Sequence, residues 1–528
     1  MKRRHFLQHL TSTLATTTFI NGFGAEAIWA NEPFIQQLAL AAEKNDRILV
    51  IIQLSGGNDG LNTVIPLDQM STYTDVNYRG NIAIKENKVL GLGTNKATGL
   101  HPSLGGLQSL YNEGKLSIVQ GVSYPTPNFS HFEANDIWMK AADLSKQQTS
   151  GWGARYLTTE FPNYPTGYPN TEMPDPVAIQ IGALASSTLI SKGQPIATIL
   201  QDPDAFARLV GEKTTTPSGN VKKEAQEHLT YIQELQNKSV EYAAQIKVAA
   251  DKGKNQVAYP TNNLAAQLQI IARLIHGGLK TKIYYVSTGG FDTHASQVVS
   301  SDTSTGTHAN LLKNLSDSIK VFTDDLSKMG VAERVVGMTF SEFGRRAKSN
   351  ASLGTDHGTS APMFVFGAGI KTSMIGKNPN LLDLENNNLK MQHDFRQVYA
   401  AILADWLMIP NPNTVLLGTY TPVPIFRTSN TARQGVEERI VVQHSEMDLQ
   451  TFPNPTNDYL TIKLEEPNDE IKQGFLVHTN GYQSELKLNR INNESWEIDV
   501  KSVQTGDYQL RIITNNGKVL GKKLIIKR

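Results

Sequence analysis

Short apolar runs alternate with longer amphipathic stretches over most of the chain. The first run, Arg47–Leu54 (RILVIIQL), ends in a glycine-rich turn. Further short runs of this kind are Leu116–Gln120, Lys282–Val286, Val335–Phe340 and Met363–Phe366. Runs of this length, bounded by turn residues, are typical of strands buried on both faces of a sheet. Between them, Asn263–Leu279 and Leu311–Met329 have the apolar spacing of helices.

This alternation predicts an α/β domain with a mainly parallel sheet and helices on both faces. We expect it to span residues 47–430. Residues 221–250 are charged and rich in glutamine without a sustained heptad, so we expect an appended helix that packs on this domain. In such sheets, functional residues gather in loops at the carboxyl ends of the strands.

The pattern changes after residue 430. From Arg433 to Arg528 the chain has no alanine, and Tyr459–Leu464 (YLTIKL) alternates strictly between outward and inward positions. Asn480-Gly481 and Asn516-Gly517 are hairpin-turn signals. These features predict a small antiparallel β-sandwich over residues 450–528, with the boundary near 430–450.

The first 30 residues have the pattern of an export signal. Residues 2–7 (KRRHFL) are basic, residues 10–23 are mildly apolar, and Ala25–Ala27 offers a small-residue cleavage site. The pair Arg3-Arg4 before Phe6-Leu7 resembles a twin-arginine signal; a general secretory signal is the alternative. No other segment has the ~20 apolar residues of a spanning helix, so we expect no transmembrane helix in the mature chain.

Composition narrows the possible functions. A length of 528 residues favours two or more domains. The 50 basic and 49 acidic residues give a formal charge of +1, which offers no electrostatic reason to expect a nucleic-acid partner or an anionic membrane. The chain has no cysteine, which excludes disulfides, thiolate metal sites and a cysteine nucleophile.

Five polar clusters fall at the ends of the predicted strands. They are Gly56–Asn62 (GGNDGLN), Asn128–Glu133 (NFSHFE), Gly289–His294 (GGFDTH), Ser341–Arg346 (SEFGRR) and Thr355–Gly358 (TDHG). Each has a plain structural alternative: Asn58-Asp59-Gly60 is a common turn signal, for example, and Arg345-Arg346 could be a solvated charge pair. Their coincidence at five strand ends favours a functional site.

The Asp, Glu and His side chains of these clusters are an oxygen and nitrogen donor set that suits a metal ion. Carboxylates suit hard dications and imidazoles suit zinc-like or manganese-like ions, so Zn, Mn, Ca and Mg are all candidates. The predicted catalytic residues are Ser130, His131 and Arg345. A hydroxyl beside a metal can act as the nucleophile, and an arginine can bind a non-bridging oxygen of the transferred group.

Together the clusters resemble a family of secreted bacterial proteins, domain of unknown function 1501. The shared segments are residues 56–62, 130–134, 289–294, 341–345 and 356–358, with His393–Leu407 as a further match. The resemblance covers roughly residues 1–430. The family in turn is similar to the alkaline phosphatase and sulfatase superfamily, whose members place two metal ions at the end of a parallel sheet.

The superfamily resemblance implies a role for each matching residue. Asp59 would be the first-strand ligand, Ser130 the nucleophile, Asp292 and His294 the ligands of one metal, Glu342 an acidic turn ligand and His357 the last metal-binding histidine. Phe343 stands where a histidine is usual, which predicts a weakened or missing metal site. Asp292 and His294 are more tightly spaced than usual, so His308 is an alternative ligand. Ser130 lacks the Cys/Ser-x-Pro-x-Arg motif of sulfatases, which argues against a true sulfatase.

The last 80 residues resemble the C-terminal sorting domain of the type IX (Por) secretion system. The resemblance rests on the opening segment Phe452–Tyr459 and the closing segments Gly506–Ile512 and Lys522–Arg528. It implies the type IX machinery as a partner and delivery through the periplasm to the cell surface or the medium. From the residues alone, a carbohydrate-binding or spacer sandwich is the alternative.

We therefore expect an exported metal-dependent hydrolase-like protein that acts on extracellular phosphate or sulfate esters. The alternative is a non-catalytic surface protein that binds polysaccharide or a partner through the same cleft.

Overall fold

The computed structural model describes residues 46–142, 148–210, 223–427, 449–464, 470–478, 483–492, 495–514 and 519–527. The chain divides into two compact units, residues 1–427 and residues 428–528. The expected export signal and the turns at Asn480 and Asn516 lie outside the described residues.

The first unit alternates strands and helices along the chain. Its strands are β1 (Ile48–Leu54), β2 (Val64–Pro66), β3 (Leu90–Leu92), β4 (Asn95–Leu100), β5 (Leu116–Ser123), β6 (Ala178–Ile181), β7 (Ile190–Ser191), β8 (Gln194–Pro195), β9 (Thr198–Leu200), β10 (Ile283–Thr288), β11 (Val335–Phe340), β12 (Ala361–Gly367), β13 (Ser373–Ile375) and β14 (His393–Asp394). Its α-helices are α1 (Gly60–Thr63), α2 (Met70–Tyr73), α3 (Gly105–Asn112), α4 (His131–Lys140), α5 (Trp152–Glu160), α6 (Pro203–Val210), α7 (Lys223–Lys252), α8 (Asn263–His276), α9 (Thr307–Lys328), α10 (Phe395–Ala401) and α11 (Pro412–Leu416). Short 3-10 helices span Leu67–Gln69, Glu86–Lys88, Ser187–Leu189 and Ala332–Arg334, and a π-helix spans Ile402–Trp406.

The main sheet has the order β13-β5-β12-β11-β1-β10-β6-β9, with β14 paired to β5. The central strand β1 is parallel to both β10 and β11. Strand β12 runs antiparallel to its neighbours β11 and β5. The predicted mainly parallel sheet is therefore confirmed. Because β12 is reversed, the loop before it lies at the edge where β1, β10 and β11 end.

Helices cover both faces of this sheet, as predicted. Leu49 and Ile51 of β1 pack in a core that includes residues of α4, α5 and α10. Ile48, Val50 and Ile52 point to the other face and pack in a second core with residues of α3, α7, α8 and α9. This period-2 alternation is why the Arg47–Leu54 run is apolar at nearly every position.

The second unit is a small all-β sandwich, as expected. Its strands are β15 (Leu449–Phe452), β16 (Tyr459–Leu464), β17 (Ile471–His478), β18 (Gln483–Glu485), β19 (Leu488–Arg490), β20 (Ser495–Asp499), β21 (Gly506–Thr514) and β22 (Val519–Ile526). They form two four-stranded antiparallel sheets, β15-β16-β20-β19 and β18-β17-β21-β22. Inward residues such as Leu460, Ile498 and Leu510 share one hydrophobic core. Among the described residues of either unit, no helix is long and apolar enough to cross a membrane.

Candidate metal centre

Three loops meet at the carboxyl edge of the main sheet and bring three histidines and an aspartate together. His131 opens helix α4, Asp292 and His294 follow β10, and His357 precedes the reversed strand β12. A ligand atom from each of His131, Asp292 and His357 lies within 4.8 Å of the others. The side chains of this cluster are between 22% and 46% exposed, so the centre opens to solvent.

The spacing of the donor atoms suits one metal ion. Asp292 Oδ2 lies 3.6 Å from His131 Nε2, and Asp292 Oδ1 lies 3.2 Å from the Nε2 atoms of both His294 and His357. The two Nε2 atoms of His294 and His357 are 2.9 Å apart. Ligands about 2.0–2.1 Å from a tetrahedral zinc would be roughly 3.3 Å from one another. Three imidazoles and one carboxylate are also a zinc-like donor set, so these residues fit a divalent ion.

The outer nitrogens of these histidines are held in place by acceptors behind the centre. His131 Nδ1 lies 2.8 Å from Glu342 Oε1, and His357 Nδ1 lies 2.9 Å from the carbonyl oxygen of Phe129. Both partners are acceptors, so we assign the proton to Nδ1 and the lone pair to the inward Nε2. Burial lowers the pKa of His357, which favours the neutral ring that a metal requires.

Glu342 lies behind His131 rather than beside the other donors. Its side chain is fully buried, and Oε1 accepts the Gly56 N–H at 2.8 Å as well as the His131 contact. Oε2 accepts the Ser341 hydroxyl at 3.3 Å. A carboxylate bonded to the outer nitrogen of a metal-binding histidine is a common way to orient the ring.

Arg345 holds Asp292 in place, and its guanidinium donates hydrogen bonds to other groups of the protein. It donates to Asp292 Oδ1 at 2.5 Å and to backbone carbonyls of Gly57 and Thr355, among others. Partial burial would raise the pKa of Asp292, but the hydrogen bond and charge of Arg345 hold it below its usual value. The Arg345 side chain is fully buried, so it braces the loops around the centre instead of facing a substrate.

Asp59 is buried outside the cluster and has its own ion-pair partner. Its carboxylate is 1% exposed and forms an ion pair with the fully buried Arg79. The same oxygen accepts the side-chain amide of Gln297 at 2.6 Å. Burial alone would raise the pKa of Asp59, but the Arg79 charge and the Gln297 bond lower it. The structure therefore does not bring Asp59 into the His–Asp cluster.

Ser130 and Phe343 flank the cluster. Ser130 is the N-cap of helix α4 and its hydroxyl caps no backbone N–H, while its own N–H donates to Asn128 Oδ1 at 2.6 Å. Phe343 is buried and packs against His131 and His357, with ring centroids 4.9 and 4.5 Å apart. The phenyl ring forms an apolar wall of the centre and offers no metal ligand there.

Glycines allow the loops to come this close. Gly56 has φ +124°, and a Cβ there would overlap the backbone of Asp292. A Cβ at Gly354 would overlap the carbonyl group of His294. Both positions need glycine because backbone meets backbone between loops that carry the cluster.

Three residues of the centre were not predicted from the sequence. Arg79 and Gln297 are buried partners of Asp59, and Asp356 Oδ1 lies 3.5 Å from His294 Nδ1. Asp356 belongs to a recognised motif and could have been named from it. Arg79 and Gln297 have no such signal, because neither lies in one of the five clusters.

Solved structures similar to this chain include proteins of the alkaline phosphatase and sulfatase type. One is a protein in the alkaline phosphatase superfamily from Vibrio parahaemolyticus, 8% identical, which covers 85% of this chain and 81% of its own at a TM-score of 0.32. Another is the lipoteichoic acid synthase LtaP from Listeria monocytogenes, 9% identical, with coverage of 72% and 76% and a TM-score of 0.30. The PsFucS1 sulfatase from Pseudoalteromonas sp. is 10% identical, with coverage of 89% and 87% and a TM-score of 0.32.

No curated protein matches the chain. Residues 450–527 match the profile of a secretion system C-terminal sorting domain of the Por type. This domain indicates export to the cell surface or the medium, with the type IX machinery as the partner. It corresponds to the β-sandwich of the second unit.

Residues 46–408 match the profile of the protein family of unknown function designated DUF1501. This match covers more than half of the 528 residues and includes all three loops of the His–Asp cluster. The chain therefore belongs to the DUF1501 family.

Proposed function

We propose that this protein is an exported metal-dependent hydrolase whose divalent ion is bound by His131, Asp292, His294 and His357. The observation that carries the proposal is the convergence of three Nε2 atoms on the Asp292 carboxylate, at 3.2 to 3.6 Å. With Nδ1 of His131 and His357 committed to acceptors, their inward nitrogens present lone pairs toward a carboxylate. Lone pairs that face one another are stabilised by a cation between them.

The surrounding residues suit an open catalytic site. A bound metal ion would activate a water or hydroxyl nucleophile and polarise an ester oxygen. Ser130 is the candidate nucleophile because it begins helix α4 directly before His131 and its hydroxyl caps no backbone N–H. The amino end of that ten-residue helix also favours negative charge at this position. We propose phosphate or sulfate esters outside the cell as substrates, reached after export through a twin-arginine-like leader.

The test is hydrolysis of aryl phosphates and aryl sulfates by the purified protein loaded with Zn²⁺ or Mn²⁺. We expect turnover that a chelator abolishes and that the metal restores. Ser130→Ala should lower kcat by at least about a hundredfold if Ser130 is the nucleophile. Ser103→Ala, at another half-buried serine before a helix, is the matched control and should leave kcat unchanged.

If activity survives Ser130→Ala, the serine is not the nucleophile and a metal-activated water takes its place. If the metal-loaded wild type hydrolyses neither aryl phosphates nor aryl sulfates, the proposed hydrolase function is wrong.

The burial of Asp59 against Arg79 favours a second candidate, a non-catalytic surface binding protein. The ion pair removes one carboxylate from the set expected to bind metal, and Arg345 is equally unavailable to a substrate. Such a protein would bind an extracellular polysaccharide or another partner through the same cleft. Metal binding without any turnover, together with retention of a polysaccharide on the wild type, would favour it over the hydrolase.

A further inference from the structure

Gln297 links the two loops that carry most of the candidate ligands. It lies in the chain between β10 and helix α9 and its side chain is completely buried. Among the described residues, the Gln297 side chain makes no hydrogen bond to any of the four donor side chains. Its amide group instead bonds to Thr293, Thr355 and Asp59.

The hydrogen bonds of the Gln297 side chain join its own loop to two other loops. Oε1 accepts the hydroxyl of Thr293 at 2.9 Å and the hydroxyl of Thr355 at 3.0 Å. Thr293 stands between Asp292 and His294, and Thr355 is two positions before His357. Nε2 donates to Asp59 Oδ2 at 2.6 Å, which ties both loops to the turn after β1.

Asp59 and the backbone of Gln297 are also held in place by hydrogen bonds. Arg79 pairs with Asp59 and also donates to the carbonyls of Arg346 and Ala347, at 3.0 and 3.1 Å. Gln297 is itself held by backbone bonds, its N–H to Leu353 and its carbonyl to His308. The backbone of Thr355 donates to the carbonyl of Thr293 at 3.1 Å. The two ligand loops are thus fixed to each other at both backbone and side-chain level.

From this geometry we infer that Gln297 is a positioning residue: it fixes the separation of the Asp292–His294 and Thr355–His357 loops and so sets the affinity and coordination geometry of the centre. The inference rests on the proposed function only in taking a divalent cation to bind there. It gives Asp59 a role that needs no contact with the metal, because Asp59 orients the Gln297 amide so that its oxygen faces both threonines. Partners outside the ligand sphere typically change metal affinity by about 10- to 100-fold.

The experiment measures binding of Zn²⁺ and Co²⁺ to the full mature chain by chelator competition and records the visible spectrum of the Co²⁺ form. Gln297→Met keeps the size of the side chain and removes its hydrogen bonds. We expect its Kd for Zn²⁺ to rise by at least about tenfold, with a changed Co²⁺ spectrum. The double variant Thr293→Val, Thr355→Val leaves Gln297 bonded to Asp59 and should shift both readouts in the same direction, which keeps the test available if Gln297→Met does not fold.

Gln180→Met is the matched control. Gln180 is also a buried glutamine, at β6, and its amide bonds to backbone groups of Ser186 and Leu184 outside the centre. We expect this variant to leave the Kd and the Co²⁺ spectrum as in the wild type, even if it lowers thermal stability. Wild-type metal affinity and an unchanged spectrum in Gln297→Met, or equal weakening in Gln180→Met, would overturn the positioning role. A wild type that binds neither ion would overturn this inference and the metal-dependent function together, whereas a wild type that binds metal without hydrolysis overturns the hydrolase alone.

Discussion

Asp59 and Asp292 are both aspartates in glycine-rich loops after buried strands, yet their surroundings give them different roles. Asp59 is 1% exposed and neutralised by Arg79. The Asp292 side chain is 46% exposed and has histidine nitrogens on both carboxylate oxygens. The difference comes from residues distant in the chain, because Arg79 and Gln297 reach Asp59 only in the folded structure.

Removing the charge of Arg79 should destabilise the protein strongly. Arg79→Met leaves the Asp59 carboxylate buried without its ion-pair partner, which typically costs about 3–5 kcal/mol. We expect a correspondingly lower free energy of unfolding in urea, followed by tryptophan fluorescence. The double variant Asp59→Asn, Arg79→Met removes both charges and should recover a large part of the loss. Equal destabilisation by the single and double variants would show that the ion pair is not what stabilises this region.

Two buried histidines near Asp59 make stability depend on pH. Burial lowers the pKa of His308 to about 4 and that of His101 to about 3. The unfolded chain takes up these protons near the usual histidine pKa of about 6.5, so it binds more protons than the folded chain below that pH. Stability should therefore fall as the pH is lowered from about 7 to about 4.

The variant that tests this is His308→Asn, measured by urea unfolding at several pH values. Its free energy of unfolding should change less steeply with pH than that of the wild type, because one of the two depressed groups is gone. An identical slope in the variant would contradict the assignment of this dependence to His308.

At the scale of elements, the antiparallel strand β12 is what completes the cluster. Apolar patterning predicted five buried strands at nearly their observed positions, and it predicted helices on both faces of the sheet. It does not predict whether the Met363–Phe366 strand runs parallel or antiparallel to its neighbours, because an apolar run has the same pattern in both directions. The direction follows from the connection to β11, which leaves His357 at the edge where β10 delivers Asp292.

The sequence therefore indicates which residue types gather at this edge. It does not indicate which hydrogen-bond partner each side chain has there. His131, Asp292, His294 and His357 could be named because each lies in a motif at a strand end. Glu342 lies behind His131, and Arg345 donates to backbone carbonyls instead of facing a substrate. Both arrangements depend on side-chain directions, which the spacing of residues in the sequence does not encode. Phe343 stands where the sequence predicts a weakened or missing metal site, and its ring packs against two of the histidines.

Backbone contact between the ligand loops can be tested with two glycines. Gly354→Ala places a Cβ on the carbonyl of His294, so the loops must separate. We expect weaker Zn²⁺ binding and a lower Tm. Gly289→Ala is the control, since a Cβ there meets nothing within 4 Å and the residue lies in the same loop as Asp292. If Gly354→Ala bound Zn²⁺ as tightly as Gly289→Ala, the close approach would be unimportant for the centre.

At the scale of the whole molecule, the centre and the sorting domain belong to separate units. Each unit has its own hydrophobic core, and the cluster lies entirely within residues 1–427. Removal of residues 428–528 should therefore leave Zn²⁺ affinity unchanged while it prevents delivery to the cell surface or the medium. Fractionation of cells, with metal binding measured on the purified truncated protein, checks both parts. Normal delivery without the second unit would contradict its assignment as the sorting signal.

A cation bound at the His–Asp cluster is the central feature of the proposed function. The decisive measurement is the metal content of the mature protein after loading with Zn²⁺ or Mn²⁺ and removal of free ions. We expect one tightly held ion per chain in the wild type and in His276→Ala, a histidine of helix α8 outside the cluster. The double variant His131→Ala, His357→Ala should hold almost none. A wild type without metal, or a double variant that retains as much as the wild type, would contradict the proposed centre.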